Sequence, residues 1–300
     1  MSGIPFSASA EITSADAERF FEIKNRIVES GRTPGGIGTL QEKTLHAVLK
    51  AYYAPDGGMT EIAVGRYVAD IYTGREIMEI QTVHFDNLRK KLECFLPCYP
   101  LTVIYPVPRI KYLIWIDPET GECSKPRKST VKGSVYRAFY ELYKIKKYLI
   151  SSNLHFCFPY LELEEYRLLN GWSRDKKKGS HRYDRIPKAL LGEVRIESPA
   201  DYGRLIPPGL PEPFTAAEFG KAVGERKDTA AKVLHILNYL KVIERCENKG
   251  RAYSYQKHKK VFQAIPAADK NLAYEVKVNF LMNEVNKLKK DMTELKEKTV

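Results

Sequence analysis

Residues 67–81 read Tyr67-Val68-Ala69-Asp70-Ile71-Tyr72-Thr73-Gly74-Arg75-Glu76-Ile77-Met78-Glu79-Ile80-Gln81. Apolar and polar residues alternate on both sides of Thr73-Gly74, so the stretch reads as two antiparallel strands closed by a tight turn. A two-residue turn at Thr73-Gly74 pairs Tyr72 with Arg75 and sets Asp70 opposite Ile77. Asp70, Glu79 and Gln81 then share one face, with Asp70 and Glu79 diagonal to each other at roughly 7 Å or less. Ala69, Ile71, Met78 and Ile80 take the other face, the buried one in a helix-covered sheet. Two carboxylates and an amide on one sheet surface are placed to hold a hard divalent cation through oxygen.

Working outward, the first of these strands runs from Val64 to Tyr72 and the second from Glu76 to Thr82. Upstream, Ala15–Glu29 is a helix capped by Ser14, with Phe20, Ile23 and Ile27 on one stripe. A Gly-rich loop at residues 33–38 opens a second helix, capped by Thr39, whose apolar face is Leu45, Val48, Leu49 and Tyr52. Downstream, Phe85, Leu88, Leu92 and Phe95 mark a basic amphipathic helix, and Leu101–Tyr105 and Lys111–Ile116 are β-rich. A helix over residues 135–149, a strand-like run His155–Leu163 and a lysine-rich loop from Arg174 to Arg182 complete the segment.

Glu42 lies three residues before Leu45 and shares its inward stripe, which points a third carboxylate at the hairpin. Thr39-Leu40-Gln41-Glu42 is equally a capping box, in which Glu42 bonds back to the cap amide. Of six histidines, His46 stands one turn after Glu42 and is the one placed to approach the carboxylates, whose oxygens suit Mg²⁺ without it.

A helix bearing Glu42, Asp70 on a strand, Glu79-Ile80-Gln81 on the next, then a helix and a β-rich pair resembles the PD-(D/E)xK, or restriction-endonuclease-like, nuclease core. The resemblance covers residues 37–117. It implies that Asp70 and Glu79 are metal ligands together with the Ile80 carbonyl, that Glu42 is an accessory acid, and that Gln81 stands where the family usually has lysine. Glutamine can hydrogen-bond an attacking water but cannot take its proton, so activation would fall to Mg²⁺ or Mn²⁺. Ala69 stands where such enzymes often have proline.

Lys plus Arg number 49 and Asp plus Glu 37 in 300 residues, a net charge of +12 that collects anions such as nucleic acid. Lys125, Arg127, Lys128 and Lys132 form one basic segment, and Lys176, Lys177, Lys178, Arg182 and Arg185 another, both suited to phosphate contact. Four prolines within residues 206–213 forbid helix and ladder and mark a linker. Beyond it, helix 216–223, turn, helix 228–240 and a hairpin tipped by Lys249 and Arg251 resemble a winged helix-turn-helix. Arg226, Lys227, Thr229 and Lys232 would face DNA from its second helix, with Lys249 and Arg251 on the wing. Val278, Leu281, Val285, Leu288, Met292 and Leu295 then repeat at spacings of three and four, the seam of a coiled coil that would make a homodimer through residues 274–295.

The expected architecture is therefore α/β (α+β): an N-terminal helix and loop (1–36), a restriction-endonuclease-like core with a mixed sheet (37–205), the linker (206–213), a small winged-helix domain (214–260) and a C-terminal coiled-coil helix (271–300). The expected activity is Mg²⁺-dependent DNA endonuclease chemistry, with RNA not excluded; the alternative is a catalytically inert dimeric DNA-binding regulator on the same scaffold. Five cysteines without CxxC pairing exclude a disulfide framework and a zinc ribbon. The N-terminus carries no leader pattern and no stretch of about 20 apolar residues occurs. A soluble cytoplasmic protein that binds no membrane is expected.

Overall fold

The apolar stripe Phe20, Ile23 and Ile27 recurs at helical spacing and gives α1 (Ser14–Ser30) one inward face. Its cap is Thr13, one residue before the expected Ser14: the Thr13 hydroxyl accepts the Asp16 amide at 3.1 Å. The computed structural model describes residues 11–30, 44–56, 58–170, 179–250 and 252–258. Glu42, Lys176, Lys177, Lys178, Arg251 and the seam 274–295 lie outside them. Helix α2 (Thr44–Tyr53) follows, its first turn capped from another element: Asp184 accepts the Thr44 amide at 3.3 Å and the Thr44 hydroxyl.

Three antiparallel strands come next, β1 (Met59–Val64), β2 (Tyr67–Tyr72) and β3 (Ile77–Ile80). The single strand expected from Val64 is two, because the chain reverses at Gly65, whose φ of 60° favours glycine. A short 3₁₀ turn leads into α3 (Arg89–Phe95), then β4 (Leu101–Ile104), β5 (Val107–Ile116) and the edge strand β6 (Arg127–Lys128). The helix expected over 135–149 is a 3₁₀ turn, the short α4 (Phe139–Lys144) and another 3₁₀ turn. Two long strands close the sheet, β7 (Leu154–Leu168) and β8 (His181–Ile196). The reading of residues 174–182 as a loop missed β8, whose charged residues hide its alternation.

Together these make one mixed sheet of eight strands. β3, β4 and β7 run parallel, and β8 pairs antiparallel with β7. β4 and β5 lie in succession against β7, interrupted at Tyr105-Pro106, where proline has no amide for the ladder. Helices α1 and α2 cover one face through Phe20, Leu45, Val48 and Leu49 over Ile71, Ile80, Ile104 and Cys157. On the other face Leu92, Phe95 and Phe139 pack over Ile77, Val103 and Phe156. Both sheet faces are therefore buried, whereas one buried face was expected.

After the prolines come β9 (Phe214–Thr215), α5 (Ala216–Val223), α6 (Lys227–Tyr239), β10 (Ile243–Lys249) and β11 (Ala252–Lys257), with sheet order β10-β11-β9. α5 carries a complete capping box, Thr215 with Glu218, and ends at Gly224 with φ 70°. Its core is continuous with that of the large sheet: Phe219 meets Tyr136 edge-to-face at 5.8 Å, and the Tyr136 hydroxyl donates to the Leu205 carbonyl at 2.9 Å.

Candidate functional site

The β2–β3 hairpin turns one residue later than expected. Thr73 N–H donates to Glu76 O at 3.1 Å, leaving Gly74-Arg75 as the turn, and Gly74 takes φ 88°. Moving the turn by one residue moves the register by two, but the shared face is not kept. Ala69 packs with the α3-side core and Ile71 with the α1/α2 side, so the alternation breaks at Asp70, which meets His46 of α2 while Glu79 meets Lys91 of α3. Tyr72 pairs with Ile77, which had been expected opposite Asp70, and Ile71 pairs with Met78, where the ladder ends one residue short of Asp70 and Glu79.

At that level the ladder breaks. Opposite Asp70 on β1, Glu61 adopts φ 55°, and the Asp70 carboxylate itself accepts the Ile80 amide at 2.7 Å. The side chain of Asp70 thus supplies the bond that a strand carbonyl would have made. His46 of α2 brings Nε2 to 3.4 Å from the same oxygen. Burial acts to raise the Asp70 pKa, but the His46 and Ile80 hydrogen bonds and the charges of His46 and Lys91 outweigh it and hold it below the ordinary value.

Glu79 points to the α3 face and is only 3% exposed. Its Oε2 accepts from Lys91 Nζ at 2.6 Å, while Oε1 is buried with no hydrogen-bond partner among the described residues. Burial, then the Asp70 charge, push its pKa up to about 7 against the opposing pull of Lys91. Lys91 is the functional residue that sequence reasoning missed. It sits on the polar side of α3 one position before Leu92, and only the packing of α3 over β3 brings its ammonium to Glu79.

Gln81 lies just past β3, its amide donating to the His84 carbonyl at 3.1 Å and its backbone N–H to Ile104 O at 2.9 Å. The side chain therefore does not fill the position beside Glu79. Among the described residues, no cluster of three or more His, Cys, Asp or Glu side chains able to hold a metal ion is present. A cation between Asp70 and Glu79 would rest on two carboxylates, with backbone carbonyl and water completing its shell, which is the usual ligand set for Mg²⁺. The partnerless Glu79 Oε1 fits such a guest.

The basic residues divide into separate groups. Lys125, Arg127, Lys128 and Lys132 are exposed on β6 and its flanks. Arg182 lies at the β7–β8 end, 3.6 Å from the buried Glu165. On α6, Arg226 and Lys227 are exposed, but Thr229 is buried at 3%, which corrects its expected outward position. Lys232 lies 3.8 Å from the Tyr143 ring centroid and Asp228 accepts from Tyr140, so the stripe that would face DNA is turned toward α4. That contact is set by interdomain packing, on which helical periodicity is silent.

The fold and this site define a mixed-sheet α/β domain with an acidic pair and a lysine at the end of a central hairpin. A family model described as a domain of unknown function (DUF8091) matches residues 43–197, and the chain belongs to that family. An uncharacterized protein of Treponema pallidum (strain Nichols) is 29% identical over 185 residues, covering 59% of this chain and 71% of the relative. No solved structure matches. No helix among the described residues is long and apolar enough to cross a membrane.

Proposed function

We propose that this protein is a metal-dependent endonuclease that hydrolyses DNA phosphodiester bonds, built on a restriction-endonuclease-like core with a winged-helix segment. The observation that carries the reading is the approach of Asp70 to Glu79 just past the last β2–β3 pair, near enough that the Asp70 charge raises the Glu79 pKa, with Glu79 Oε1 buried and without a hydrogen-bond partner among the described residues. The order α2, β1, β2, β3, α3, β4 with β3 and β4 parallel supports it. Asp70, Glu79 and the Ile80 carbonyl would hold Mg²⁺ or Mn²⁺, with Glu42 as an accessory acid. A bound ion supplies positive charge for the phosphate and lowers the pKa of water. The chain's own residues position: the Ile80 amide and His46 orient Asp70, and Lys91 keeps a donor and a positive charge beside Glu79. Lys91 thereby provides the cation that Gln81 lacks.

The test is nicking of supercoiled plasmid in Mg²⁺ or Mn²⁺. Asp70→Asn and Glu79→Gln should abolish cutting while DNA affinity stays within a few fold; cutting by both at the wild-type rate refutes the assignment. The inert DNA-binding regulator is the second reading. It is favoured by the enclosure of Glu79, 3% exposed behind the Lys91 ammonium, and by Gln81. In that case no variant or wild-type preparation cuts, and the Asp70, Glu79 and Lys91 variants change stability alone.

A further inference from the structure

At the far end of the sheet, β7 and β8 carry a second charged cluster. Glu165 is buried, 3% exposed. Arg167 Nε stands 2.8 Å from its Oε1, while Lys111 Nζ and Arg182 Nε stand 3.5 and 3.6 Å from Oε2. Arg185 pairs with Glu165 across the β7–β8 ladder and is half-buried. Its guanidinium makes no hydrogen bond or ion pair with any described residue, and its backbone amide is held by its neighbour Asp184. Asp184 is turned to the first turn of α2, where it caps Thr44. Four cations thus surround one buried carboxylate, with Asp184 as the second acid in range.

Four cations against one buried carboxylate leave the described cluster with more positive than negative charge, and that excess points to an external anion. Desolvation, then the Arg182 charge, hold the Arg185 pKa below the ordinary arginine value against the opposing charges of Glu165, Tyr105 and Asp184. Arg185 also lies within electrostatic reach of Tyr105. Tyr105 stands two residues beyond Val103, the β4 partner of Glu79, and packs with Phe85 and Phe158 on the α3 face. The cluster sits at the far end of the β7–β8 ladder, and the planar fork of arginine suits the oxygens of a phosphate.

We propose that Arg185, with Arg182, Arg167 and Lys111 gathered around Glu165, is a phosphate site that receives one backbone phosphate of a nucleic-acid strand lying across this face. The site deepens the nuclease reading by placing the substrate, and its test needs no catalysis. The full chain, in EDTA, is titrated with a fluorescent 16-base-pair duplex across a salt series, and its melting temperature is followed with inorganic phosphate.

Arg185→Met is expected to melt at or above the wild-type temperature, because one of four cations crowded on a single buried carboxylate has been removed. It should bind the duplex about tenfold more weakly at 0.1 M salt, with the slope of log affinity against log salt smaller by about one. Arg185→Lys should recover the slope and part of the affinity. Millimolar phosphate should raise the wild-type melting temperature and leave that of Arg185→Met unchanged. A folded Arg185→Met with wild-type affinity and slope overturns the proposal, as does a large fall in melting temperature with unchanged binding, which would mark Arg185 as structural. Phosphate protection with duplex binding unaffected would overturn the strand assignment in favour of a free phosphate compound. Failure of every preparation to cut DNA would refute the nuclease reading and leave this binding difference standing.

Discussion

Lys91→Met isolates what the ammonium does for Glu79. In the wild type the pair is 2.6 Å long, with Glu79 3% and Lys91 25% exposed, so the carboxylate has little water to fall back on. Removing one partner of such a pair costs about 3–5 kcal/mol, and the quarter exposure of Lys91 puts the expectation at the low end, about 3 kcal/mol. That figure applies only where Glu79 is ionised. Its pKa, pushed up to about 7 in the folded protein from an ordinary 4.5, means that folding takes up a proton between those two values. Stability from this group is therefore greatest below pH 4.5 and declines as pH rises toward 7. Below that window the acid is neutral with or without Lys91, and the substitution exchanges one stem for another of similar length. Guanidinium unfolding followed by circular dichroism, in EDTA, should show a loss of about 3 kcal/mol at pH 8.5 and under about 1 kcal/mol at pH 5.5. Adding Glu79→Gln should restore most of the loss at pH 8.5. Equal destabilisation at the two pH values, or no recovery in the double variant, would refute the buried-pair argument.

Three other outcomes follow from the packing. Phe219 is fully buried between Tyr136 at 5.8 Å and Phe214 at 6.2 Å, so Phe219→Ala should cost about 3–5 kcal/mol; a single cooperative transition is expected because one core spans the prolines, and two separate transitions would contradict it. Thr215→Ala removes the hydroxyl that accepts the Glu218 amide at 3.3 Å and should cost about 1 kcal/mol, read from the denaturant midpoint. His235 sits between Lys146, 3.4 Å away, and Lys232, and burial followed by those two charges lowers its pKa from the ordinary 6.5. The unfolded chain binds that proton more readily, so the wild type should lose stability as pH falls through 6.5, and His235→Asn should flatten the melting temperature measured between pH 5.5 and 7.5.

Much of the site was legible because strand geometry has a period of two. Alternation alone brought Asp70 and Glu79 to the same part of the hairpin, but it assigned them one face, and the break in the ladder at Asp70 leaves Asp70 with His46 of α2 and Glu79 with Lys91 of α3. The helix with Leu92 and Phe95 inward was likewise a local matter of spacing. Local signals also misled. Val64–Tyr72 was read as one strand because alternation does not reveal a reversal at Gly65, and the lysines and arginines near residue 180 disguised β8.

The sequence by itself determined the order of elements around the hairpin and the approach of its two acids, since each depends on neighbours within a few residues. Tertiary structure alone decided which groups meet. Lys91 is 12 residues from Glu79 in sequence, Asp184 is 140 from Thr44, and Lys232 is 89 from Tyr143. Each contact is set by how a helix lies on the sheet or on another helix. That choice is made by burial summed over the whole core: Phe85, Phe95, Val103, Phe156 and Phe219 must leave water together. Charged side chains are carried along to wherever their elements come to rest, so the Lys91 ammonium ends beside the buried Glu79 carboxylate.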